Sequence, residues 1–228
     1  MKYKSFFIAF CLLLPTFLYA QSDNTKWSYN VQIGGNISFM SHANKDVFSD
    51  DLFFGYSAGF GAKYYLNDNF ALSSALLLSK SGSKWLFDAD STYEGKSITE
   101  LRYYYTKLSL PLSVDVKLTK GLWLGVGAKL SCIMFMNELL DCSTAAVLVR
   151  YPLDGYNEFS NSAFNRFDVA ALVSLSYTAD KYSVSLSYDH GFLPVIKQVY
   201  ISADKFNSRV FDVNAKARII NLSVKYLF

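Results

Sequence analysis

The sequence predicts an all-β chain, an eight-stranded antiparallel up-and-down transmembrane β-barrel. Three observations predict it. Eight stretches alternate apolar and polar residues with a period of two, so one face meets a fatty phase and the other a polar one. The connections between them run long, short, long, short, long, short, long, the pattern of bacterial outer-membrane barrels. The chain is rich in aromatics (17 Tyr and 19 Phe), holds only 4 Pro, and beyond its first segment has no apolar run long enough for a spanning helix.

A strand sheet in lipid must close, because open edges leave backbone groups unpaired. A soluble sandwich would explain the alternation, but neither the loop asymmetry nor the leader.

Residues 1–20 read as a secretory signal, and residues 21–228 as the barrel domain. Lys2 and Lys4 precede the apolar run Phe6 to Leu18, and cleavage is expected after Ala20. Without that segment two of the 22 Lys+Arg are lost and none of the 19 Asp+Glu, leaving a net charge near +1. A nucleic-acid partner therefore has no support. Cys132 and Cys142 remain; one sits in an apolar strand face and the other in a loop, which favours unpaired thiols.

The first strand, Trp27 to Met40, puts Trp27, Tyr29, Val31, Ile33, Ile37 and Phe39 on one face and Asn30, Gln32, Asn36 and Ser38 on the other. The second runs near Phe54 to Leu66, with glycines on its polar face. Asn67-Asp68-Asn69 makes a tight turn into the third, Phe70 to Ser79. The fourth, near Glu100 to Leu118, contains Pro111, which predicts a bulge or kink. Thr119-Lys120-Gly121 turns into the fifth, Leu122 to Met136. The sixth, Phe164 to Tyr177, and the seventh, Tyr182 to Phe192, are joined by Thr178 to Lys181. The eighth, Ala217 to Phe228, alternates Ile220, Leu222, Val224, Tyr226 and Phe228 with Asn221, Ser223 and Lys225, and must pair with the first. Ser41 to Leu52, Lys80 to Ile98, Asn137 to Ala163 and Leu193 to Asn214 read as long loops.

Leu108-Ser109-Leu110-Pro111-Leu112, Asn165-Arg166-Phe167-Asp168 and the closing Val224-Lys225-Tyr226-Leu227-Phe228 resemble the PorT-family outer-membrane β-barrel proteins of Bacteroidota. The resemblance extends over essentially all of the chain beyond the leader. It implies residence in the cell outer membrane, and the name-giving member of that family is linked to secretion of cell-surface proteins; the even strand number and alternating loop lengths place both termini in the periplasm. The resemblance also implies that Tyr226 and Phe228 resemble the signal read by the barrel-assembly machinery.

Eight strands enclose a lumen just wide enough for side chains to fill, so a diffusion pore is not expected. By strand parity the interior charges are Lys63, Lys107, Asp115, Lys117, Lys129, Asp168, Asp189 and Lys225. Asp168 and Asp189 are expected within a diagonal of each other. Such a pair could divide acid and base roles. Salt bridges with Lys107 or Lys129 are the better reading, since buried charges need partners.

Gly55-Tyr56-Ser57-Ala58-Gly59 matches G-x-S-x-G, but it continues a strand where a nucleophile elbow needs a strand-to-helix turn. Asp189 and His190 are adjacent and should point to opposite faces. His190 and His42, near the outer rim, are the foothold for a lipid-modifying enzyme. Outward aromatics fall into two girdles, one at each end of the strands. Trp85, Phe87 and Tyr93, then Tyr151, Tyr156 and Phe159, are read as loop aromatics that contact a partner, or that pack on one another.

The chain is thus expected to be a non-enzymatic outer-membrane barrel without a cofactor. It would act through its loops or wall as an accessory, adhesion or secretion-related component. Expected partners are outer-membrane lipid, the assembly machinery and an envelope protein. A rim-located lipid-modifying enzyme and a small channel are the alternatives.

Overall fold

The computed structural model describes residues 26–41, 48–87, 92–93, 96–142, 145–151, 164–204 and 207–228. The expected signal segment, residues 1–20, lies outside them. Eight long strands form the wall: β1 (Trp27–Ser41), β3 (Phe53–Tyr65), β4 (Phe70–Phe87), β6 (Lys96–Thr119), β7 (Leu122–Cys142), β9 (Phe167–Ala179), β10 (Tyr182–Asp204) and β11 (Asn207–Leu227). Three short strands, β2 (Phe48–Asp51), β5 (Thr92–Tyr93) and β8 (Ala145–Tyr151), add to hairpins at one end. Each long strand pairs antiparallel with its neighbours, and β1 closes on β11 in a register from Asn30↔Leu227 to Ser41↔Lys216. No edge of the eight-stranded ring is left unpaired, as lipid requires.

The short turns have local causes. Asn67 Oδ1 accepts from the backbone N–H of Asn69 and Phe70, at 2.9 Å each. Gly121 adopts φ 80°, a conformation that favours glycine, and its carbonyl accepts from Thr178 N at 2.7 Å. Both described chain ends, Lys26 and Phe228, lie at this short-turn end.

The alternation is realised in the wall. Phe54, Val126, Leu186 and Leu222 face outward, more than half exposed without lipid, while Asn30, Gln32, Ser109 and Ser185 are buried inside. Cys132 is a free thiol on the outward face of β7.

Three features differ from the sequence reading. Most of the four long loops are strand: β4 runs on to Phe87, β6 begins at Lys96, β7 reaches Cys142, and β10 and β11 pair out to Asp204↔Asn207. At Pro111, where a bulge or kink is expected, there is no bulge: β6 stays paired with β7, and its ladder with β4 is interrupted at Leu110 and Pro111 and resumes in the same register. Instead β7 bulges at Met134, where Thr106 pairs with Phe135 and Lys107 with Ile133. The extra residue reverses parity, so Phe135 is exposed and Met136 is buried.

Candidate functional site

The barrel interior divides into three levels. At the long-hairpin end it is apolar. Met40 from β1, Trp85 from β4, Tyr103 and Tyr105 from β6, Ile133 and Met136 from β7, and Val213, Ala215, Ala217 and Ile219 from β11 form one buried cluster. Trp85 meets Tyr103 edge to face at 5.0 Å between ring centroids, and Tyr103 meets Phe164 at 6.1 Å. Trp85 is fully buried in this plug. It is therefore no partner-contacting loop residue: β4 continues past Ser79, and strand parity turns position 85 inward.

Below the plug lies a charged layer. Lys129 Nζ stands 2.5 Å from Asp189 Oδ2, and Lys107 Nζ 3.9 Å from Asp168 Oδ2. All four side chains are buried. Asn221 Nδ2 donates to Asp189 Oδ2 at 3.1 Å, tying β11 to the pair. The Asp168 and Asp189 carboxylates are not diagonal neighbours. The turn at Ala179–Tyr182 sets Asp189 opposite Leu172, two inward positions from Asp168. Each acid takes its own lysine, so the two do not make an acid/base dyad.

The third level, at the short-turn end, holds Lys63, Asp115 and a lining of serines. Lys63 Nζ is 3.0 Å from Asp115 Oδ2 and 3.7 Å from the centroid of the Trp123 ring. Ser73 donates to Asp115 Oδ2 at 2.6 Å and Ser113 to Oδ1 at 2.9 Å. Gly125 leaves room for that carboxylate, since a Cβ there would sit 2.6 Å from Asp115 Oδ1. A cavity of about 110 Å³ opens here, lined by Ser57, Ser174, Ser185, Asn221, Lys129 and Lys225 among others. Lys117 also stands at this end, 5.9 Å from the Trp123 ring.

The G-x-S-x-G stretch lies wholly within β3. Its first glycine serves packing. A Cβ on Gly55 would collide with the Lys80 carbonyl and stand 2.7 Å from Asn36 Oδ1. Without one, Asn36 Nδ2 reaches across β3 to donate to the Lys80 carbonyl at 3.1 Å. Ser38 likewise bridges to β4, donating to the Gly82 carbonyl at 2.8 Å and accepting from Gly82 N at 2.9 Å. These bonds staple β1 to β4, a connection that the alternation pattern does not signal.

His190 points outward. Its Nδ1 lies 3.3 Å from the Tyr188 hydroxyl, and its ring is 5.7 Å from Phe192. Asp189 faces the lumen and Lys129, so the adjacent pair forms no dyad. Among the described residues no group of three or more His, Cys, Asp or Glu could hold a metal ion. His42, Tyr156 and Phe159 lie outside the described residues. Phe87, Tyr93 and Tyr151 have described backbone in β4, β5 and β8, and their side chains lie outside the description.

Aromatics ring the outside of the short-turn end. Trp27 packs on Tyr64 at 4.7 Å, Tyr182 on Tyr226 at 5.5 Å, and Tyr226 on Phe228 at 5.1 Å. Tyr226 and Phe228 thus stand at the seam where β11 meets β1, and Phe228 N donates to the Tyr29 carbonyl at 2.9 Å. Phe54, Tyr56, Phe167 and Phe192 are exposed toward the other end.

A family model described as outer membrane protein beta-barrel domain matches residues 19–197. No curated protein matches. The chain is similar to solved structures of Neisserial surface protein A (16% identity, 88% of this chain and 97% of that one, TM-score 0.46). It is also similar to Ail, the attachment invasion locus protein of Yersinia pestis (11% identity, 90% and 100%, TM-score 0.44). A third is OprG of Pseudomonas aeruginosa (10% identity, 90% and 98%, TM-score 0.45).

Proposed function

We propose that this chain, which belongs to the outer membrane protein β-barrel domain family, is a non-enzymatic barrel that acts through its long hairpins and its wall as an accessory, adhesion or secretion-related component. One observation carries this reading. The interior is blocked at two levels, by the plug around Trp85 and then by the Lys107–Asp168 and Lys129–Asp189 pairs, which close off the cavity at the short-turn end, while the strands at the other end run on into long hairpins. A lumen filled in this way suits a scaffold better than a conduit.

In this reading both termini and the short turns lie in the periplasm and the long hairpins lie outside. The PorT-like segments favour a secretion-related partner in the envelope. Tyr226 and Phe228 serve as the signal for the assembly machinery, so deleting Phe228 should lower the amount of barrel in the outer membrane. Residues 151, 156 and 159, with 87 and 93, are the aromatics proposed for partner contact; Trp85 is not.

Chemical crosslinking in native outer membranes, followed by identification of captured proteins, tests the reading. A reproducible envelope partner, lost on substituting Tyr151 or Tyr156, supports it. Discrete conductance steps in a planar bilayer, or altered membrane lipid that reverts in His42→Ala cells, would replace it with a channel or an enzyme.

A further inference from the structure

We propose that the outer wall between β10 and β11, at the long-hairpin end, is a docking site for the phosphate-bearing headgroup of an outer-leaflet glycolipid. The inference rests on the reading above that this end faces outward. His190 and Arg218 stand directly opposite each other across the two strands, on the face that carries Tyr188, Phe192 and Ile220 toward lipid. Lys216, two residues further along the same face, is exposed beside them.

The arginine is held in place by a break in the ladder. Register slips between His190 and Pro194, which takes Gly191 out of the β10–β11 pairing. Arg218 Nη1 donates to the Gly191 carbonyl at 2.8 Å and to the Ala217 carbonyl at 3.1 Å. Its Nη2 and Nε have no hydrogen-bond partner among the described residues, and neither Arg218 nor Lys216 is in an ion pair there. A guanidinium fixed on one nitrogen and open on the others is suited to phosphate oxygens. His190, whose Nδ1 shares a hydrogen bond with the Tyr188 hydroxyl, can offer its Nε2–H as a third donor in the tautomer where Tyr188 donates.

Charge complementarity selects the occupant. These cations sit where the apolar face of β11 ends at Ile220, beside the outer aromatic Phe192 of β10, at the depth of a lipid headgroup with its acyl chains along the belt. On the opposite wall Lys84 is engaged by Asp51 at 3.4 Å. At the short-turn end the exposed cations Lys26, Lys120 and Lys181 are interspersed with the exposed acids Asp68 and Asp180. Among the described residues, the β10–β11 wall therefore sets His190, Arg218 and Lys216 together at the membrane boundary with no ion pair to either Arg218 or Lys216.

The test measures lipid retention on the full protein, purified from outer membranes into neutral detergent, by native mass spectrometry. The probes are lipid A and lipid A stripped of its phosphates. We expect retention of the phosphorylated form only. Retention should fall about thirtyfold when Arg218→Gln and Lys216→Gln remove two headgroup-level charges. Lys120→Gln with Lys181→Gln, which removes two charges at the other end, should leave retention unchanged. Equal retention of the two probes, or equal loss in the two double variants, overturns the proposal. If the Arg218 variant lacks heat-modifiable migration and so has not folded, the two probes on the unaltered chain still decide. Detergent is blind to orientation. A wrong orientation would show instead as labelling of Lys120→Cys, and not Lys216→Cys, in intact cells.

Discussion

The two halves of the barrel read the same alternating code in opposite ways. In the short-turn half the inward residues are serine, asparagine, lysine and aspartate, and the outward ones aliphatic and aromatic. In the long-hairpin half the inward set gains large apolar residues, Met40, Trp85, Tyr105, Val213 and Ile219, beside Ser81 and Ser83, while Lys80, His190, Lys216 and Arg218 join Phe135 and Phe192 on the outward face. The crossover is the layer of Lys107, Lys129, Asp168 and Asp189. Below it the wall stands in lipid, and the polar lumen holds ions and a cavity. Above it the wall leaves lipid, so the apolar residues turn inward and build a plug of ordinary soluble-protein character.

Two substitutions of equal expected size separate the halves. Trp85→Ala should destabilise the barrel by about 3–5 kcal/mol through the cavity it leaves in the plug. Asp189→Ala should cost a similar amount, about 3–5 kcal/mol, because Lys129 would be left buried without its partner. Urea unfolding in lipid vesicles checks both. The sharper comparison is the double replacement Lys129→Met with Asp189→Leu. Apolar residues of like volume in place of a buried ion pair are often neutral or better. The double variant should therefore recover most of what Asp189→Ala loses. No second change of comparable simplicity should rescue Trp85→Ala. If the double variant is as unstable as the single one, the charged layer is a specific network that tolerates no apolar substitute.

Leu222→Arg tests the lipid half from outside. Leu222 lies between Ile220 and Val224 on the outward face of β11, near the middle of the apolar belt. An arginine at that depth should cost about 2–4 kcal/mol. Ser223→Arg on the lumen side has the polar cavity to enter and should cost less. Equal costs would mean that the belt does not stand in lipid as assigned.

The lipid half was legible from sequence because its two faces meet two phases. Strand number, closure of β11 on β1 and the inward position of Lys63, Lys107, Asp115, Lys129, Asp168 and Asp189 all follow from parity within the belt. The ladder register was not legible, which is why Asp168 and Asp189 were expected closer together than they are. Parity also fails above the belt. There a bulge at Met134 reverses the faces, and polar residues on strands such as Lys80 to Phe87 look like loop. Trp85 was misplaced for that reason. An alternation extended past Ser79 through Ser81 and Ser83 would have turned position 85 inward. The staple from Asn36 and Ser38 to β4 leaves no periodic trace. Its one sequence signal is the glycine at position 55, which reads on paper as half of a catalytic motif.

The smallest effect expected lies outside the membrane, at Asp51. Its carboxylate accepts from Leu52 N at 2.8 Å and pairs with Lys84 at 3.4 Å. Those two interactions, the backbone bond first, hold its pKa below the ordinary value of 3.8. A carboxylate whose folded pKa is depressed adds stability that is complete above the unfolded value. That stability is lost as pH falls through the folded one. Its contribution is therefore constant at neutral pH and disappears only in acid, below about pH 4. The pair is partly exposed, so the effect is small and screened by salt. Asp51→Asn should leave the neutral-pH unfolding midpoint almost unchanged and flatten part of the acid dependence. That flattening should be visible at low salt and absent at high salt. A loss of stability at neutral pH would instead show that the β2–β4 hairpin is coupled to the plug beneath it. The two halves would then stand or fall together.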